Sequence, residues 1–130
     1  MPFDLKEDFV VQTEAKLGAQ LPDSYRRAMM AANGGEVSTE DDDWYLYPIL
    51  DDSDKKRLTR TCNDVVSETA SCSKWRRFPT QALAIANNGS GDRLVILRDG
   101  NEYAPTIYVW FHETGELERV ADDFAELARL

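Results

Sequence analysis

The residues most able to do chemistry fall in a few short stretches. The most distinctive is "IANNGSGDRLVIL", Ile85 to Leu97, where Gly89, Gly91, Asn87, Asn88, Ser90 and Asp92 separate two apolar runs. A glycine-rich loop cradles phosphates when a Gly-Lys-Ser/Thr end supplies a cation and a hydroxyl for Mg²⁺. "GSGDRL" has no such Lys, and Leu94 stands where a dinucleotide fingerprint needs its third glycine. A β-type run follows in place of a helix, which removes the dipole that would hold a pyrophosphate. As a calcium loop the stretch offers only Asp92. "DDSDKKR", at 51–57, sets Asp52 and Asp54 two residues apart but lacks the third oxygen ligand, the turn glycine and the distal Glu of an EF-hand.

The remaining chemical arrangements fare no better. His112 is the single histidine, and Cys62 and Cys72 stand ten residues apart, which matches no structural zinc spacing. A Cys–His dyad needs His112 beside Cys62 or Cys72. Both cysteines are expected at core-facing helix positions, where thiols serve as inert packing. There is no Gly-x-Ser-x-Gly elbow and no basic aromatic patch for nucleic acid. Nothing in the spacing of the 24 acids places any two together as an acid–base pair. The residues therefore point away from an enzyme, and to no catalytic residue, metal or cofactor. A small hydrolase is the residual enzymatic alternative, and it requires a pocket that holds His112 with a carboxylate or thiol.

Charge is the stronger signal. The formal net charge is −9 over 130 residues, and it is uneven. Residues 36–54 hold Glu36, Glu40, Asp41, Asp42, Asp43, Asp51, Asp52 and Asp54 with no Lys or Arg. Such a field repels nucleic acid and anionic lipid and speeds encounter with a basic partner. The plainer alternative is a solvated acidic loop kept for solubility. The apolar runs Ala82–Ala86 and Ile107–Phe111 are far too short to span a membrane. Met1-Pro2-Phe3-Asp4 shows no basic segment before an apolar core, so no secretory signal is expected. Cys62 and Cys72, if on one helix, are separated by about 15 Å along its axis. That exceeds the ~7 Å limit on Cα separation in a disulfide, and reduced thiols suit the cytoplasm.

The elements that must position these residues are marked by period and punctuation. Residues 3–17 read as a helix capped by Asp4, with Leu5, Phe9, Thr13 and Leu17 one turn apart and Gly18 at its end. "LPDSYRRAMMAANGG" reads as a second helix, with Pro22 at its start and Tyr25, Ala28, Met29 and Ala32 on one face. "DWYLYPIL" reads as an edge strand because Pro48 argues against a central place. Residues 54–73 read as a third helix, with Leu58, Cys62, Val65, Val66, Thr69 and Cys72 at helical spacing. After Pro79 the period falls to that of strands. "ALAIA", "RLVIL", "TIYVWF" and "ELERVA" are joined by short turn-rich links, so they should be antiparallel neighbours. "DDFAELARL" reads as a closing C-terminal helix. The expected fold is α+β in one domain, 1–130: N-terminal helices, an antiparallel meander sheet of about four to six strands, and the closing helix.

Four blocks in this order carry a resemblance. They are "EAKLGAQLPDSYRRAMMAANGG" (14–35), "FPTQALAIANNGSGDRLVIL" (78–97), "IYVWFHETGE" (107–116) and "VADDFAELARL" (120–130). Leu17-Gly18, Leu21-Pro22, Tyr25 and Asn33-Gly34-Gly35 carry the first block. Ile85-Ala86, Gly89 and Gly91-Asp92 carry the second, and Trp110, His112, Thr114-Gly115 and Phe124 the rest. The chain resembles the SUKH superfamily, in particular the branch of the Smi/Knr-type cell-wall-assembly regulator domains. Phe111 departs from the acidic residue that the family often shows between the Trp and the His. The resemblance implies an antiparallel sheet packed on helices with no catalytic centre. It further implies an immunity protein that neutralises a cognate toxin, often a nuclease or deaminase. The alternative implied by eukaryotic members is a regulatory or ligand-binding scaffold with no toxin partner.

Two surfaces are candidates for such a partner. The first joins Glu40, Asp41, Asp42, Asp43, Asp51 and Asp52 to Trp44, Tyr45 and Tyr47, and would suit a toxin with a basic cleft. Its alternative is that Trp44 and Tyr47 pack inside while the acids are merely solvated. The second is Tyr108 and Trp110 with His112, on the face of "TIYVWF" opposite Ile107, Val109 and Phe111. Its alternative is core packing on both faces. The partner expected is a protein toxin, not nucleic acid or membrane, with the chain itself a monomer or weak homodimer.

Overall fold

The computed structural model describes residues 2–130. Its elements, in chain order, are α1 (Glu7–Leu17), α2 (Asp23–Ala31), β1 (Glu36–Ser38), β2 (Asp43–Leu46), α3 (Lys55–Thr61) and α4 (Val65–Cys72). There follow β3 (Ala82–Asn87), β4 (Arg93–Asp99), β5 (Glu102–Tyr103), β6 (Ile107–Trp110), β7 (Leu117–Ala121), a 3-10 turn (Phe124–Glu126) and β8 (Ala128–Arg129). The strands form one antiparallel sheet in the order β7-β6-β4-β3-β2-β1-β8, with β5 folded back on β4. The α+β expectation holds, and so does the meander β3-β4-β6-β7. The sheet has eight strands, more than the four to six expected. β1 and β8 are three and two residues long, too short to show a period in sequence.

The core lies where the sheet is covered on both sides. Ala82 to Ala86 of β3 are buried at five successive positions, the pattern of a strand packed on both faces. Helix α4 anchors this strand, with Thr69 Oγ1 accepting from the Ala84 amide at 2.8 Å. Tyr25 of α2 packs edge-on against Phe124, with centroids 5.3 Å apart. Burying a side chain of this size stabilises by about 1.5–3 kcal/mol.

Four expectations need correction. Asp4 does not cap α1. Lys6 holds the cap position without a side-chain bond, while Asp4 pairs with Arg57 at 3.1 Å. The single helix over 54–73 is two helices, because Asp64 turns its carboxylate onto the amides of Val66 and Ser67 and starts a new one. Leu58 and Cys62 therefore leave the apolar face and are exposed, and the two free cysteines do not share a helix. "DWYL" is an interior strand between β1 and β3, with Pro48 past its end, where no ladder donor is needed. The closing C-terminal helix is absent. Nine residues are marginal as an isolated helix, and the free edge of β1 offers a ladder in its place. Asp123 caps a single 3-10 turn, and the chain then pairs with β1 as β8. Arg129 reinforces this by donating to the carbonyls of Ala32 at 2.7 Å and Gly34 at 2.9 Å, just past the end of α2. Among the described residues no helix is long and apolar enough to cross a membrane.

Candidate functional site

The glycine-rich stretch is the connection between β3 and β4, as its turn residues imply. Asn87 Oδ1 accepts from the Gly89 amide at 3.0 Å, and Asn88 Oδ1 from the Ser90 amide at 3.0 Å. These side chains mimic turn hydrogen bonds. The loop also acts as a clasp. Asn88 Nδ2 donates to Asp42 Oδ2 at 2.8 Å, tying the hairpin to the β1–β2 turn. Asp92 Oδ1 accepts from the His112 amide at 3.1 Å and lies 2.7 Å from His112 Nδ1, tying it to the end of β6. The imidazole lies over Gly91, where an added Cβ would stand 2.8 Å from two ring atoms.

The clasp holds a groove of about 210 Å³ between the β1–β2 turn and strands β6 and β7. Its floor is apolar: Val109, Phe111 and the edge of Trp44, whose indole N–H donates to Thr39 Oγ1 at 3.0 Å. Its rim is acidic: Glu40, Asp41 and Asp42 from the turn, Asp92 from the hairpin and Glu118 from β7. Arg119 is the one cation in the lining, and it pairs with Asp122. Acids gathered over a low-dielectric floor focus a negative potential into the groove.

The groove gathers only part of the acidic, aromatic set. Glu40, Asp41, Asp42 and Trp44 line it. Asp43 and Tyr45 alternate with Trp44 on β2 and point away from it, and Tyr45 is 54% exposed. Tyr47 is buried in the core. Asp51 is buried too: Ser53 donates to it through its amide at 3.0 Å and its hydroxyl at 2.6 Å, and Arg57 pairs with it at 3.0 Å. Burial pushes the Asp51 carboxyl up, but the bonds from Ser53 and Arg57 outweigh it and hold the carboxyl below its ordinary value. Its charge is spent inside the fold. Asp52 is exposed and lies outside the groove. Asn88, Asp92, Phe111 and Glu118 are groove residues that the sequence does not single out as such. Glu118 sits directly opposite Val109 in the β6–β7 pairing, a register that no local pattern reveals.

The second candidate surface resolves differently. Trp110 is buried, stacked on Trp75 with centroids 5.5 Å apart and edge-on to Phe78 at 5.1 Å. Its indole N–H donates to the Arg77 carbonyl at 3.1 Å. Tyr108 is half-buried, and His112 is exposed just past the strand. Trp110 is therefore not open to a partner, because the chain between α4 and β3 covers it. That same chain brings basic and aromatic residues together at the surface. Lys74, Trp75, Arg76 and Arg77 are all exposed there, and Arg93 lies 4.9 Å from the Trp75 ring centroid.

His112 does have a carboxylate beside it, so one half of the hydrolase geometry is present. Two hydroxyls share that cavity: Ser90 Oγ donates to Asn88 Oδ1 at 2.9 Å, and Thr114 Oγ1 accepts from the Glu116 amide at 3.2 Å. Cys72 is buried, and burial pushes its thiol up despite nearby Arg93. No group of three or more His, Cys, Asp or Glu among the described residues could hold a metal ion.

The sequence model of the SMI1 / KNR4 family (SUKH-1) matches residues 4–129, nearly the whole chain. No curated protein matches it.

Proposed function

The chain belongs to the SMI1 / KNR4 family (SUKH-1), and from that premise we propose that it is an immunity protein. It binds and neutralises a cognate toxin in the cytoplasm by stoichiometric contact, with no catalytic step. The observation that carries this reading is the groove itself, in which Glu40, Asp41, Asp42, Asp92 and Glu118 ring the apolar floor of Trp44, Val109 and Phe111. A nuclease that handles phosphates needs basic side chains in its cleft. Such a cleft would place Arg or Lys heads among these carboxylates and their aliphatic stems on the floor. Rim charge would speed encounter, and the desolvated floor would slow release.

The test uses the protein encoded by the adjacent reading frame. Glu40→Lys with Asp41→Lys should slow its association by about tenfold or more at low salt, with a smaller loss at high salt. Both residues are exposed, so the fold should be unaffected. Unchanged association in a titration removes the groove as the interface. An adjacent frame that encodes no toxin favours the regulatory scaffold instead.

A further inference from the structure

We propose that the residues between α4 and β3 build a second binding site, for a nucleoside phosphate: Trp75 stacks on the base, and Arg76 and Arg77 hold the phosphate. The site stands apart from the acidic groove. Residues 73–78 read "SKWRRF" and cross over the end of β6. Trp75 lies nearly parallel to Trp110, at 22° and 5.5 Å between centroids, with the Arg93 guanidinium carbon 4.9 Å from its own centroid. Arg93 and Trp110 are cross-strand partners, so their side chains leave the same face of the sheet and both reach Trp75. Even with these two contacts Trp75 remains 41% exposed. A tryptophan held by such contacts and still partly exposed can serve as a stacking platform for a base.

The cavity beside that platform has a volume of about 380 Å³, lined by Trp75, Arg76, Arg77, Trp110 and His112. This is the size of a small-ligand site, and every lining side chain is aromatic or basic. Arg77 is held in place. Its Nη1 donates to the Glu113 carbonyl at 2.8 Å, and its stem passes over Gly115, where a Cβ would stand 2.7 Å from Arg77 Cβ. Arg76 has no hydrogen-bond or ion-pair partner among the described residues, so its planar fork is available to an anion. An acidic peptide would use the guanidinium groups but has no need of the exposed indole. A polynucleotide would meet the net charge of −9 along its length. A single nucleotide satisfies both parts of the site and avoids that repulsion.

Calorimetry and tryptophan fluorescence on the whole protein, titrated with ADP, test this. The expected result is saturable one-to-one binding with quenching. Arg76→Ala and Trp75→Ala should each weaken it by about tenfold or more. Arg76 is exposed, so its variant keeps the test valid if Trp75→Ala unfolds. Adenosine and pyrophosphate alone should each bind more weakly than ADP, and Glu40→Lys with Asp41→Lys should leave ADP binding unchanged. Absence of saturable ADP binding at millimolar concentration overturns the proposal. So does equal binding by a hexaglutamate peptide, which would make the patch a plain anion surface. Tight binding of an oligonucleotide without binding of ADP also overturns it, in favour of nucleic acid.

Discussion

Replacing Gly91 with alanine tests the clasp that holds the groove together. Gly91 has φ +113°, a conformation that L side chains rarely adopt. Forcing alanine into it costs about 1–3 kcal/mol. The new Cβ would also stand 2.8 Å from Cε1 and Nδ1 of His112, so the ring must move. The ring can move, because the His112 side chain is 35% exposed, but swinging out breaks its 2.7 Å contact with Asp92. A hydrogen bond of that kind contributes about 0.5–1.5 kcal/mol net. The two effects together give a destabilisation of roughly 2–4 kcal/mol, readable as a fall in the urea midpoint at constant slope. Gly89→Ala is the internal comparison: its φ is +82° and nothing lies within 4 Å of the added Cβ, so only the backbone cost applies. In a His112→Ala background the steric part disappears, and Gly91→Ala should approach the cost of Gly89→Ala. If Gly91→Ala costs the same with and without the imidazole, the ring is not what the glycine accommodates, and the clasp reasoning fails.

Asp51 gives a pH dependence with a definite sign. Its folded carboxyl lies below the ordinary 3.8, so its contribution is present above that value and is lost as pH falls through the lower folded value. Asp51→Asn should therefore cost about 1.5–3 kcal/mol at neutral pH, with the gap from wild type closing as unfolding is measured towards pH 3. A gap independent of pH would show that the charge is irrelevant there. The cysteines should separate kinetically: in native buffer a thiol reagent modifies the exposed Cys62, whereas Cys72, buried and with its thiol pushed up, reacts only on unfolding. Equal rates for the two thiols in the native state would contradict the placement of Cys72.

Much of the architecture is legible in local sequence because local chemistry decides it. Gly18 ends α1 with φ +69° as expected of a glycine after a helical run, and Pro22 and Asp23 open α2. The runs at 82–87, 93–99, 107–110 and 117–121 are strands, and their short links make them antiparallel neighbours. The turn chemistry of Asn87 and Asn88 is legible for the same reason: their side chains bond to backbone two residues on. The charge of residues 36–54 is legible as a sum, but not as a surface. Asp51 is consumed by Arg57 and Ser53, Tyr45 faces away from Trp44, and Tyr47 is buried.

What the sequence by itself determined is the class of each side chain and the places where the backbone can turn: helix stops, hairpin links and an acidic segment. Tertiary structure alone decided which of these meet. The groove needs Asp42, Asp92 and Glu118 to converge from positions up to 76 apart in sequence, which β-sheet register sets and no local window contains. The basic aromatic patch exists because a link between α4 and β3 crosses Trp110. The last nine residues form a 3-10 turn and the two-residue strand β8 rather than a helix because β1 offers an unpaired edge. A nine-residue helix is too short to hold by its own hydrogen bonds, so the long-range partner wins.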